Sequence, residues 1–218
     1  MNGYEHDHTT AEELQAEVEL YSPFTAAVRD LVDASIRSLA GPEEIRAAQA
    51  EIEAVTARLR AEQLPGSYGV RLRDDGTARS WGNAVVGLRN PVAPPLRIQS
   101  DGEKVWSDFH LGAAYEGPPT MVHGGVTSLL LDQLLGHAAS AAGRPGMTAS
   151  LTLSYRRPTP LGDLRAEAWV DRSEGYKTWA KGVLIGPDGV TVEAEGLFIL
   201  PRWAREQVAP EDIPASFE

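Results

Sequence analysis

Four strand-length segments follow one another with almost no room between them, and this run limits the possible folds more than anything else in the chain. "MTASLTLSYRRP", "DLRAEAWVDR", "YKTWAKGVLI" and "VTVEAEGLFIL" are separated only by "TPLG", "SEG" and "GPDG". Connections this short join antiparallel neighbours, because a parallel crossover needs a dozen residues or more. An earlier strand pair is predicted in "LRIQSDGEKVWSDFHL", where Asp101-Gly102 gives the hairpin signal. Before the four strands stands one helical segment, Gly124 to Ala141. Ten strand residues span about 33 Å and that helix about 26 Å, so the strands are long enough for a sheet to wrap it. The expected class is α+β: a long central helix wrapped by an antiparallel sheet.

Within "HGGVTSLLLDQLLGHAAS" a carboxylate, Asp132, directly follows three leucines. Burying an ionised carboxylate without a partner costs several kcal/mol, so either that face of the helix is wet or the charge has a task. At 100° per residue Gly125, Ser128, Asp132, Gly136 and Ala139 share one face, and Val126, Leu130 and Leu134 the other. A stripe of small side chains admits a close neighbour, either a ligand or a second backbone. The first turn, "HGGV", leaves backbone N–H groups unpaired and attracts negative charge.

A helix N-terminus that holds an oxyanion and a carboxylate that activates water or attacks directly suffice to hydrolyse an acyl bond. Within one chain they are about 12 Å apart, too far to touch one carbonyl. Two such helices running antiparallel bring Gly124 of one chain near Asp132 of the other. The expectation is a homodimer with shared active sites, or a tetramer built from it.

The N-terminal third reads differently. From Thr10 to Gln63 glycine is nearly absent, and Ala, Glu, Leu and Arg predict two or three helices. One is bounded by Gly41-Pro42 and Pro65-Gly66, with Ile45, Ala48, Ile52, Val55 and Leu59 in a stripe expected to pack on the domain or another subunit. The alternative for that stripe is a lid or partner-binding helix. Residues 66–93 form a connector with turns at "DDG" and "NPVAPP" and one short strand around Ala84 to Leu88. The division expected is an N-terminal helical extension (1–65), connector (66–93), wrapped-helix domain (94–201) and C-terminal tail (202–218).

Composition narrows the function. Cysteine is absent, which removes disulfides, thiolate metal sites and a cysteine nucleophile. A formal charge of −11 disfavours nucleic acid or an anionic membrane as partner. No apolar run reaches spanning length and the opening residues are acidic and polar, so a cytoplasmic location is the default expectation. No metal site, P-loop or serine nucleophile elbow is visible. His6 and His8, in "YEHDH", are read as part of a flexible tail rather than metal ligands, and His137 as structural.

"GPPTMVHGGVTSLLLDQLLG", "MTASLTLSYRRPTPLGDLRAEAWV" and "EGYKTWAKGVLIGPDGVTVEAEGLFIL" together resemble the PaaI-like, HGG-type branch of the hotdog-fold acyl-CoA thioesterases. The resemblance covers Pro94 to Pro201 and leaves the N-terminal helices unexplained. It implies a hotdog fold and hydrolysis of an acyl-CoA thioester to a carboxylic acid and coenzyme A, with no cofactor beyond the coenzyme A carried by the substrate. Asp132 matches the general base or nucleophile; the Gly124 N–H matches the group that polarises the carbonyl, with Gly125 placed to assist. His123 matches a loop histidine near the thioester, and Thr148 a hydroxyl that positions water. Arg156, Arg157 and Lys177 match a basic cluster that binds the coenzyme A nucleotide. Some relatives carry asparagine where this chain has Gly117.

Each residue also has a plainer reading. His123 caps a helix, Asp132 pairs with an arginine or caps a loop, Thr148 fills a sheet position, and Lys177 is a solvated charge. Arg156 and Arg157, being adjacent, point to opposite faces of a strand. The rival functions are a non-catalytic acyl-CoA sensor, a hotdog dehydratase acting on acyl thioesters, and a scaffold built on the N-terminal helices.

Overall fold

The computed structural model describes residues 4–73, 77–202 and 216–217. Six strands form the main sheet: β4 (Gln99–Ser100), β5 (Lys104–Leu111), β6 (Met147–Tyr155), β7 (Gly162–Glu174), β8 (Lys177–Gly186) and β9 (Gly189–Ile199). Their order is β4-β5-β7-β8-β9-β6, every neighbour antiparallel. The helix α3 (Gly124–Ala141) lies in the hollow of this sheet, with the bounds read from the sequence.

The packing follows from side-chain size. Leu130, Leu131, Leu134 and Leu135 are fully buried. The strands meet them with small residues, Ala166 and Ala168 on β7, Ala180 on β8 and Ala194 on β9, so the sheet can curl around a wide helix. Gly136 shows how close the fit is: a Cβ there would stand 3.2 Å from the Phe198 ring. This is the α+β hotdog arrangement that the resemblance implied.

The N-terminal part contains α1 (Ala11–Arg37) and α2 (Pro42–Arg60). Thr10 starts α1 with a capping box to Glu13, and Pro42 in the first turn starts α2. A second, small sheet joins β1 (Tyr4–Asp7), β2 (Val70–Arg73), β3 (Thr77–Arg79) and β10 (Ser216–Phe217), with β1 parallel to β2 and β10 parallel to β3. Among the described residues no helix is long and apolar enough to cross a membrane.

Four expectations change. The segment with His6 and His8 is no tail: His6 pairs with Leu72 in the small sheet, and the buried Asp7 carboxylate meets Arg79 at 2.8 Å. Ala84 to Leu88 is not a strand, because the Asn83 side chain accepts from the Val85 and Val86 N–H groups and folds the backbone into turns. The strands of that region lie instead on either side of "DDG", where the expected turn falls outside the described residues. The stripe on α2 does not pack on the domain: α2 has no buried residue. Of the C-terminal tail, residues 203–215 and 218 lie outside the described part, and 216–217 are strand.

Candidate active site

His123 ends the approach to α3 in extended conformation (φ −62°, ψ 132°), and its Nδ1 accepts the Gly125 N–H at 2.9 Å. The ring therefore carries its proton on Nε2, and the residue serves as the helix cap. This also removes Gly125 from the expected set of donors, since its N–H is already committed. The Gly124 N–H meets no acceptor among the described residues.

The peptides around Gly124 are held firmly. The His123 carbonyl accepts from the Val126 and Thr127 N–H groups at 2.9 and 3.3 Å. The Gly124 carbonyl accepts three hydroxyls: Thr127 at 2.7 Å, Ser128 at 3.0 Å and Tyr155 at 2.8 Å. The free N–H is thus aimed by its surroundings, as an oxyanion donor must be. Gly117 is constrained from the other side: a Cβ there would fall 2.7 Å from the His123 Cα, so asparagine would not fit this backbone.

Asp132 is neither deeply buried nor fully exposed. Its side of α3 is left open by the sheet, which answers the puzzle of a carboxylate after three leucines. The Thr148 hydroxyl, at the start of β6, donates to Asp132 Oδ1 at 2.9 Å. One carboxylate oxygen is oriented and the other left for a water or a carbonyl carbon. β6 is the last strand of the sheet, and Met147 to Ser150 are exposed. Asp132, Thr148 and the Gly124 end of the helix thus border one uncovered side of the molecule.

The basic residues are not brought together within one chain. Lys177 stands opposite Ile199, itself opposite Met147, whereas Arg156 follows Tyr155 at the other end of β6, roughly 30 Å away. Arg156 is paired with Glu193 at 2.7 Å, and Arg157 donates to the Asp188 carbonyl at 2.8 Å. Arg157 sits one residue further along, on a different partner, as the alternation of a strand end requires. Among the described residues no group of three histidine or carboxylate side chains gathers as a metal site would need.

Sequence reasoning does not single out Tyr155 and Ser128 as site residues. Ser128 lies in the small-residue stripe and Tyr155 in the "Y-x-R-P" strand end, but their meeting on Gly124, with the two hydroxyls 3.2 Å apart, depends on how β6 crosses the helix N-terminus.

Comparison with known proteins bears on this region. The sequence model of the thioesterase superfamily matches residues 120–176, which include α3, β6 and β7. Acyl-coenzyme A thioesterase THEM4 of Xenopus laevis is 34% identical over 94 residues, 42% of this chain and 42% of that protein. Acyl-coenzyme A thioesterase THEM5 of Homo sapiens is 26% identical over 154 residues, 70% of this chain and 62% of that protein. The chain therefore spans less than two thirds of these curated relatives. A crystal structure of a thioesterase superfamily protein shares 35% identity and a TM-score of 0.74, covering 82% of this chain and 90% of the other. That coverage extends well beyond the region in which the sequence itself carried the resemblance.

Proposed function

The chain belongs to the thioesterase superfamily, and from that premise we propose that it hydrolyses an acyl-CoA thioester to a carboxylic acid and coenzyme A. The observation that carries the proposal is Asp132, held by Thr148 at 2.9 Å on the uncovered side of α3. In this reading Asp132 activates a water or attacks the thioester to form an anhydride. The Gly124 N–H binds the developing oxyanion, and Thr148 orients the carboxylate. His123 keeps the first turn in shape. The reaction needs no cofactor of its own, and its expected setting is the cytoplasm.

The rise of about 12 Å between Gly124 and Asp132 argues for a shared site. Two copies with α3 antiparallel bring Gly124 of one near Asp132 of the other, with the open edge of β6 and the small residues Gly125 and Ser128 at the contact; Gly136 and Ala139, on the same stripe, are instead packed within the chain. The same arrangement acts on the basic residues that one chain keeps apart. Lys177 lies toward the Thr148 end of the sheet and Arg156 and Arg157 beside the Gly124 end, so the two-fold returns them to one neighbourhood across subunits. There they are proposed to meet the coenzyme A phosphates.

The test is free-thiol release from a panel of aliphatic and aromatic acyl-CoA esters. Asp132→Asn is expected to lose about a hundredfold or more while keeping its fold. Gly124→Pro deletes the N–H at the first helical position, where proline is tolerated, and is expected to be inactive as well. Dissociated and remixed, the two inactive variants should recover roughly a quarter of the wild-type activity, since half the dimers are mixed and each has one intact site. No recovery would rule out the shared site; tight binding of esters without cleavage by the wild type would replace hydrolysis with sensing.

A further inference from the structure

On the other side of α3, about 140° around the helix from Asp132, lies a cavity of about 960 Å³. α1, the β2–β3 pair, the segment from Trp81 to Ser100 and the end of α3 enclose it. Its size falls within the range of small-molecule sites. Two features separate it from a packing gap.

The first is charge. The chain has 31 acidic residues against 20 basic ones, yet among the described residues four arginines and no carboxylate line this cavity. The charge of Arg79 is met by Asp7 and Glu17, at 2.8 and 2.7 Å, although its Nε has no partner among the described residues. Arg29 is not satisfied in this way: it donates to the Ala93 and Asn90 carbonyls, at 2.8 and 2.9 Å, and meets no carboxylate among the described residues. Burial holds its pKa below the ordinary arginine value, as expected of a cation lacking an anion. Arg97, exposed, also has no carboxylate among the described residues.

The second feature is His137. It lines the cavity at 5% exposure, and its Nδ1 has no hydrogen-bond partner among the described residues. A buried polar atom left in that condition is costly, and a ligand that hydrogen-bonds to it would relieve the cost. The remaining wall is largely apolar, with Val18, Trp81, Leu96 and Ile98 among its members.

We propose that this cavity is a second ligand site, taking an amphipathic carboxylate whose head lies against Arg29 and His137 and whose apolar body lies against Val18, Trp81 and Leu96. A carboxylate matches the chemistry available: the Arg29 guanidinium, which meets no carboxylate among the described residues, and a neutral ring able to donate from Nδ1 together suit a single negative group. A dianionic phosphate would exceed that, and the apolar wall would give the rest of a nucleotide nothing to bond. The site does not depend on the hydrolase reading, because none of its residues borders Asp132.

Calorimetric titration with octanoate, using octanol as the uncharged control, tests it. Octanoate is expected to bind once per chain, at least tenfold more tightly than octanol, the loss expected when a charge-assisted hydrogen bond is removed. Asp132→Asn should bind octanoate like the wild type. Ala26→Trp, which fills the cavity from α1 without deleting a polar group, should abolish binding, and Arg29→Met should weaken it at least tenfold. If Arg29→Met does not fold, the Ala26→Trp variant and the octanol comparison decide. Absence of saturable binding, equal binding of octanol, binding that survives Ala26→Trp, or binding lost in Asp132→Asn would each overturn the proposal. Hydrolysis that persists without octanoate binding would remove this site alone, leaving the active site untouched.

Discussion

α2 and α3 are helices of nearly equal length, 19 and 18 residues, and both carry an apolar periodicity, yet nine residues of α3 are buried and none of α2. The difference lies in the width of the apolar arc. In α3 Leu130, Leu131, Leu134, Leu135 and Ala138 cover most of the side that faces the sheet. In α2 the apolar positions Ile45, Ile52, Val55 and Leu59 form a narrow seam, flanked by Glu43, Glu44, Glu51, Glu53, Arg58 and Arg60. A wide arc demands a sheet or several neighbours; a seam is served by one helix or by none. The contrast also isolates Asp132. It is the only charged residue of α3, and it stands on the part of the circumference that the sheet leaves open.

The comparison is broken most severely at Leu134. Leu134→Ala removes a fully buried side chain from between α3 and the strands and should cost about 2–5 kcal/mol in chemical denaturation. A cost below about 1 kcal/mol would mean that the sheet does not grip the helix as the packing implies.

A smaller effect sharpens the contrast from the buried side of α3. Burial holds the His137 imidazole below its ordinary pKa, and Arg29, which faces the same cavity, adds no negative charge to counter this. Below about pH 6.5 the unfolded chain therefore binds a proton that the folded chain refuses, so stability is full near neutrality and falls as the pH drops. His137→Gln should flatten that part of the stability profile, measured by denaturation at pH values between 7 and 5. An identical slope in the variant would show that the ring titrates as it does in the unfolded chain.

The same contrast explains which parts of the molecule are legible in the sequence. α3 and the four long strands are legible to within three residues, because their periodicities repeat over many positions and short turns fix their neighbours. Asp132, Gly124 and Thr148 are legible as residues; the hydrogen bond from Thr148 to Asp132 and the three hydroxyls on Gly124 are not, since each joins parts of the chain brought together only by the fold. β1, β2, β3 and β10 are two to four residues long, and the pairings β1–β2 and β3–β10 join distant segments, leaving no local pattern to read. At Ala84 to Leu88 the apolar pattern is present, but Asn83 diverts the backbone through its own hydrogen bonds. Arg156, Arg157 and Lys177 look like a cluster only because sequence cannot show that they lie at opposite ends of the strands.

The smallest expected effect falls on α2. Ile52 lies in the middle of the seam and is 42% exposed, so it makes little contact whose loss would matter. Ile52→Ala should change the unfolding free energy by no more than about 0.5 kcal/mol, in the range of surface substitutions. The measurement is best made over a hundredfold range of protein concentration. A change that stays small and independent of concentration keeps α2 a solvated helix, held at its ends and not along its face. A loss above about 1 kcal/mol that grows on dilution would instead mean that another body covers the seam. The acidic first turn and basic last turn of α2, Glu43 and Glu44 against Arg58 and Arg60, suit an antiparallel copy of the same helix, since that orientation sets opposite charges side by side at both ends. In that event α2 would owe its burial to association and α3 to the fold of its own chain, which is the distinction that the exposure of Ile52 already draws.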